Sequence, residues 1–500
     1  MSLSPERTSE LLLQARDAAA RGDYAQAHAI GTTLLQNLPK DPQVNLLMGE
    51  VCLATGFLDM AIEYRRFAVE HLPPAPLLEV QLAQAYVHSG RLGDALAHYA
   101  NALKLDASFA PAIAGRAEVY EMQGNFKRAW KTLEPATKVA PTDPSLAAVG
   151  VRVLMEMRRL DDAIRLGEVV MAAKLPDEPQ LRSTLLTMAR AYERAKRYQD
   201  ALDVAARGNA MLAVPFSHEL YRAETDTLIE TLSTDWMKDA PRATVDGSWA
   251  TFIVGMPRSG STLTERIIHA HPDAFGADED FSLQLIAGSV QAEFGLASQW
   301  PENARELTPE QLDRSGEKYE RSMRTKSADA KLISNKDLAN MRRLGFADRI
   351  LPGAKFIHTR RHAADNCLSC YFERLRPASI PYAGSFDDLA FVYAENERLW
   401  AHWQDACQND TLTVDYEDLV NDLPGTARRI IDFVGLSWDD RCLKPHEANR
   451  ADRTLSVTQV RRPIYTAAKG RAAKYGDLLE PLQSALKRHG VDSKGTEAKG

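Results

Sequence analysis

Cysteine is scarce in this chain of 500 residues. The five present (Cys52, Cys367, Cys370, Cys407 and Cys442) are odd in number and widely spread, so no disulfide framework is implied and a reducing compartment is expected. No stretch approaches eighteen apolar residues, which excludes an ordinary membrane-spanning helix. The first residues, Met1 to Arg7, lack the charged-then-apolar pattern of a secretory signal. Excess positive charge is missing too: 61 Lys+Arg stand against 68 Asp+Glu, a formal net charge of -7. That balance argues against a nucleic-acid footprint spread over the surface, so any anion site must be local. A cytoplasmic protein is expected, with neither nucleic acid nor membrane as partner.

The N-terminal half has a period. Ala27, Ala61, Ala95, Ala129 and Ala163 follow one another at 34 residues, and Ala201 comes after 38. Gly22, Gly56, Gly90 and Gly124 share the spacing, as do Pro42, Pro76 and Pro144. Glycine ends one helix in a left-handed conformation, the small alanine lets the next helix pack closely, and proline starts the following repeat. From about Pro5 to Val214 this pattern resembles the tetratricopeptide repeat. Stacked helix pairs form a superhelix with a concave face suited to a peptide or protein segment, or acting as a brace for the rest of the chain. The period stops near Ala213, a helical stretch runs from His218 to Met237, and Asp239-Ala-Pro-Arg-Ala-Thr-Val-Asp-Gly-Ser reads as a linker. The expected domains are therefore a solenoid with connecting helix at 1–237, a linker at 238–248, an α/β domain at 249–485 and a small charged tail at 486–500.

The linker is followed by an apolar run, a Gly/Ser/Thr loop and an amphipathic helix, spanning Thr251 to Ile268. A strand, a tight turn and a helix start make an anion cradle, because loop N–H groups and the positive end of the helix dipole converge. Gly255 and Gly260 have the spacing of a nucleoside-triphosphate loop. The lysine such a loop needs after its second glycine is absent, however, and Ser261 and Thr262 follow instead. A cation stands within the loop at Arg258, where its planar fork could grip a terminal oxyanion.

Three later stretches add charge. A turn at His271 to Phe281 holds Asp278, Glu279 and Asp280; an apolar run from Lys331 ends in Asn335-Lys336-Asp337; and a strand-like run from Ala354 leads into Arg360, Arg361 and a helix. Strands that end in polar loops with helices behind them predict an open parallel sheet, whose ligands sit at the carboxyl ends of its strands. Cys367 and Cys370 have no second ligand pair at zinc-site spacing and read as packing residues. Tyr416 and Glu417 read as structural, and His269 and His271 as turn residues.

From roughly Trp249 to Ala485 these residues resemble a sulfotransferase that uses 3′-phosphoadenosine 5′-phosphosulfate (PAPS), closest to tyrosylprotein sulfotransferases and to bacterial proteins joining tetratricopeptide repeats to that domain. Pro257-Arg258-Ser259-Gly260-Ser261-Thr262-Leu263 is similar to the family's 5′-phosphosulfate loop, with Ser261 in place of a threonine. The resemblance implies that Glu279, 21 residues after the loop arginine, is the catalytic base. It places the family's Asn-Lys-Asp lysine at Lys336 and the 3′-phosphate pair at Arg361 and Ser369. Ser456 would reach the phosphosulfate from a C-terminal element, and Arg471 would be a late basic residue on the 3′-phosphate, with Lys469 or Lys474 as alternatives.

Sulfuryl transfer moves an SO₃ unit between oxygens, so the protein's task is alignment and stabilisation of spreading charge. Glu279 would act as base, and a phenolic acceptor would favour a desolvated one. Lys336 and Arg258 would hold the sulfuryl and leaving oxygens. Ser259, Ser261 and Thr262 would cradle the 5′ side. Arg361 and Ser369 would separate PAPS from ATP. No metal is required, and PAP is the expected product. The acceptor stays open among a peptide tyrosine, a glycan and a small hydroxylated metabolite, as does a homodimer. The rival classes are an NTP-dependent kinase or NTPase, disfavoured by the missing lysine, and a non-enzymatic repeat scaffold.

Overall fold

In a computed structural model of the chain, residues 4–21, 24–173, 175–176, 179–211, 214–375, 380–445, 447 and 470–491 are described. Two compact units emerge, one of Met1–Val214 with Phe372–Gly384, the other of Pro215–Tyr371 with Ser385–Gly500.

In the first unit, helices from Pro5–Ala20 to Tyr198–Ala210 stack in antiparallel pairs. The period alanines Ala27, Ala61, Ala95, Ala129, Ala163 and Ala201 are all wholly buried. Pro42, Pro76 and Pro144 each stand at the start of a helix, where the missing N–H costs nothing. Gly56, Gly90 and Gly124 are left-handed, with φ of 84°, 76° and 73°; Gly22 lies outside the described residues. At each of these ends an N–H returns to a carbonyl five residues earlier, as from Phe57 to Cys52 and from Arg91 to Tyr86. In the last two repeats the same bonds run from Arg159 to Leu154 and from Arg197 to Tyr192. There the left-handed residue is not glycine but Arg158 (φ 60°) or Lys196 (φ 61°).

The segment Phe372–Gly384 belongs to this first unit, although the sequence reading places it inside the α/β domain. Glu373, almost fully buried, accepts from Arg190 at 2.5 Å. Arg182 donates to the Leu375 carbonyl at 3.1 Å, and Arg374 to Ser183 Oγ at 3.2 Å.

The second unit is built on a five-stranded sheet: β1 (Ala250–Gly255), β2 (Ala274–Gly276), β3 (Leu332–Asn335), β4 (Lys355–Arg360) and β5 (Thr411–Asp415). Its order is β2-β3-β1-β4-β5, and every pairing is parallel. Both faces are covered. Phe252, Val254 and Phe356 pack into one core cluster and Ile253 and Ile357 into another, which is why these strands read as unbroken apolar runs.

The expected connecting helix and linker also belong here. Helix His218–Thr231 puts Leu228 into the core cluster on the Phe252 side, joined there by Leu232, Met237 and Ala243. Ala243 N–H donates to the Arg349 carbonyl at 2.8 Å and Gly247 N–H to that of Pro352 at 2.7 Å. The polar composition of the linker hides this, because its backbone bonds attach it to the second unit. Helix Glu480–Arg488 extends past the expected start of the tail, and residues from 492 lie outside the described set.

Candidate active site

Four adjacent strands deliver the charged residues at their carboxyl ends. Glu279 follows β2, Lys336 follows β3, the Gly/Ser/Thr loop follows β1, and Arg361 follows β4. Strands in a sheet lie about 4.8 Å apart, so the order β2-β3-β1-β4 sets a carboxylate, a lysine, an anion cradle and an arginine side by side.

The cradle is shaped by backbone that a side chain would spoil. Gly255 has φ 140°, and a Cβ there would collide with the Thr359 carbonyl oxygen. Gly260, φ 107°, would push a Cβ to 2.9 Å from the Tyr416 ring. Arg258 itself takes φ 69°, a strained choice for a non-glycine residue. Helix Ser261–His269 then starts at Gly260 with no side chain closing its N-terminus, an arrangement that suits an anion. Ser259 Oγ is bonded to Thr359 Oγ1 at 2.7 Å, which fastens the loop to β4. The Pro257 carbonyl accepts from Asn366 Nδ2 at 3.1 Å and Cys370 Sγ at 3.2 Å. Ser261 and Thr262 are buried in the first turn, and Leu263 packs into the core behind them.

On the β3 side, Lys336 is 1% exposed, with Nζ 3.0 Å from Glu279 Oε1 and 3.2 Å from Asp278 Oδ1. Burial by itself would lower the pKa of this ammonium. The carboxylates of Glu279, Asp278 and Glu265 outweigh it and hold the group above the ordinary lysine value. The turn carrying Glu279 is set by Asp278 at φ 62°. Its N–H donates to Glu265 Oε1 at 2.8 Å, and its carbonyl accepts from Lys336 N–H at 2.8 Å. Asp280 faces away from this pair, bound to Lys326 at 2.9 Å, so of the three neighbouring carboxylates it is Glu279, 47% exposed, that meets both the lysine and solvent.

Basic side chains gather on the β4 side. Arg258 Nε donates to Ser369 Oγ at 3.3 Å, and Arg361 is buried with its guanidinium 4.9 Å from the centre of the Tyr416 ring. Its pKa is lowered, first by burial and also by the like charges of Arg258 and Arg471, so three arginines converge. Asp365 brings the last of them in, accepting at 2.7 Å from both Gly470 N–H and Ala472 N–H. Ser456 and Lys469 lie outside the described residues.

Sequence reasoning missed Glu265, Thr359, Asp365 and the stacking role of Tyr416. Local sequence does not show these roles, since each acts across 13 to 107 positions through the fold. His269 and His271 are turn residues, accepting from Gly276 N–H and Asp273 N–H at 3.1 Å each. Cys367 and Cys370 are buried, and burial pushes the Cys367 thiol well above its usual pKa.

Residues 250–440 match the sulfotransferase family, and residues 86–150 match the tetratricopeptide repeat. The chain joins tetratricopeptide repeats to a sulfotransferase domain. An uncharacterised protein of Aquifex aeolicus is 23% identical over 362 residues, 71% of this chain and 47% of that protein. The chain thus spans about half the length of that relative. Protein-tyrosine sulfotransferase 2 of Gallus gallus is 23% identical over 287 residues, 53% of this chain and 73% of that protein. Among solved structures, the sulfotransferase domain of the Synechococcus PCC 7002 olefin synthase is 20% identical and covers 50% of this chain and 96% of its own, with a TM-score of 0.36. The matched span, 250–440, contains the β1 loop, the Glu279–Lys336 pair and Arg361, while Arg471 lies past it within the second unit. Among the described residues no helix is long and apolar enough to cross a membrane.

Proposed function

We propose that the protein transfers a sulfuryl group from PAPS to a hydroxyl acceptor by in-line displacement. The observation that carries this reading is the meeting of two unlike sites along four neighbouring strand ends. A lysine–glutamate pair lies on one side of the anion cradle, and a cluster of arginines on the other.

The cradle would hold the 5′-phosphosulfate, and Arg361, Ser369 and Arg471 the 3′-phosphate that ATP lacks. The acceptor hydroxyl gives its proton to Glu279 as its oxygen bonds to sulfur. The bond from sulfur to the bridging phosphate oxygen breaks, and PAP leaves with the added negative charge. Lys336, held in its charged form by its carboxylate neighbours, faces that charge together with Arg258. Donors placed where charge develops are worth more than donors recruited from water. Glu279 is half-exposed, so its desolvation falls to the arriving acceptor. We take a peptide tyrosine as the acceptor, on the similarity to protein-tyrosine sulfotransferase 2 and the presence of a peptide-suited repeat unit.

Transfer of labelled sulfate from PAPS into a cell lysate, followed by mass spectrometry of labelled species, tests both parts. Label on protein tyrosine is expected, with Glu279→Ala reducing transfer by about 10²-fold or more while PAP affinity is retained. Unaltered transfer by Glu279→Ala contradicts its role as base, and label confined to small molecules contradicts the peptide acceptor.

A further inference from the structure

Three elements distant in sequence meet in a polar cluster of the second unit that the proposed reaction does not use. His218 opens helix His218–Thr231, Asp387 and Asp388 lie in the first turn of helix Phe386–Ala406, and His489 follows helix Glu480–Arg488. His218 Nε2 is 2.7 Å from Asp388 Oδ1, and His489 Nε2 is 3.0 Å from Asp387 Oδ1. One donor atom from each of His218, Asp387 and His489 lies within 4.8 Å of the others, the one such group of histidine, cysteine and carboxylate ligands among the described residues. Both rings are held in place. His218 stacks on Phe391 at 4.0 Å and 4°, and His489 meets the same ring edge-on at 5.5 Å.

We propose that His218, Asp387 and His489, with Asp388 as a fourth donor, bind a divalent transition metal of the zinc class that pins these three elements together. Two imidazoles with two carboxylates suit zinc rather than calcium or magnesium, which take oxygen ligands. With metal–ligand bonds of about 2.0–2.2 Å, tetrahedral donors stand roughly 3.3 Å apart. The three grouped donors, within 4.8 Å of one another, therefore close by as much as about 1.5 Å, while the 2.7 Å and 3.0 Å His–Asp pairs open slightly. Side-chain rotation can supply that, because each Nε2 already faces a carboxylate oxygen. With four protein donors the site is closed, hence structural rather than catalytic. The Arg488 guanidinium also contacts Asp387, so a cation already occupies part of the position and an arriving metal displaces it.

The untagged full-length chain, stripped with chelator, is titrated with Zn²⁺ by calorimetry and with Co²⁺ by visible absorption. One equivalent of metal is expected, with tetrahedral cobalt bands, no thiolate charge transfer, and a melting temperature raised by Zn²⁺. His218→Ala and His489→Ala lose the stoichiometric uptake and the thermal shift. Arg488→Gln, which leaves every donor in place, binds Zn²⁺ with a lower Kd than the unaltered chain. Absence of stoichiometric uptake, uptake indifferent to both histidine substitutions, thiolate bands from cobalt, or an Arg488→Gln variant that binds no more tightly would each overturn the proposal.

Discussion

Lys336 and Asp337 are neighbours in sequence and opposite in electrostatic situation. The lysine is buried among carboxylates that keep it charged, whereas burial raises the Asp337 carboxyl from its ordinary 3.8 to about 6, with Glu279 adding to the rise. Between pH 3.8 and about 6 the folded state thus binds more protons at this residue than the unfolded chain does. The stability it contributes is fully present below the unfolded value and is lost as pH rises through the folded one. Asp337→Asn, which keeps an acceptor for the Ala339 N–H that Asp337 caps, should flatten the pH dependence of stability in this window. At pH 7 the variant gains on the order of 2–3 kcal/mol relative to the unaltered chain. Urea unfolding at pH 4, 5, 6 and 7 measures it, and an unchanged slope would count against the raised value. The Asn-Lys-Asp motif was legible at this scale; the charge states were not, because they depend on Asp278, Glu279 and Glu265 arriving from other elements.

Among the elements, the repeat helices were legible from period alone, since buried alanine, helix-starting proline and left-handed glycine each fall at fixed offsets. Arg158 and Lys196 show where the pattern bends. They keep the left-handed turn of Gly56, Gly90 and Gly124 without glycine's freedom, at a cost of about 1 kcal/mol each. Arg158→Gly and Lys196→Gly should each stabilise the chain by roughly 0.5–1 kcal/mol, read as a higher urea midpoint. A loss of stability at both positions would mean that their side chains contribute more than the strained backbone costs. In the second unit, β1, β3 and β4 were equally legible as apolar runs ending in charge, whereas β2, three residues long, lies in a stretch that reads as a turn. The turn Gly470–Ala472 was not, because what places Arg471 is Asp365, more than a hundred residues earlier.

For the whole molecule, the sequence reading recovers a repeat array followed by a parallel-sheet domain but misplaces what joins them. Helix His218–Thr231 and the polar stretch after it pack with the second unit, while Phe372–Gly384 packs with the first. Both departures rest on long-range partners: Arg349 and Pro352 for the linker, Arg182 and Arg190 for the returning segment. A local pattern of charge and proline carries no record of such partners. The reading of the sheet's carboxyl edge is what gives the molecule its proposed chemistry, and it turns on recognising two phosphate-bearing ends of one nucleotide.

Thermal unfolding with PAP, compared with ATP and Mg²⁺, tests that most directly. At a ligand concentration of 100 times Kd, binding to the folded state alone stabilises by about 2.7 kcal/mol. PAPS-dependent transfer predicts a melting temperature clearly raised by PAP, little changed by ATP with Mg²⁺, and insensitive to PAP once Arg361 is replaced by Gln. Equal shifts from the two nucleotides, or a PAP shift that survives Arg361→Gln, would contradict it.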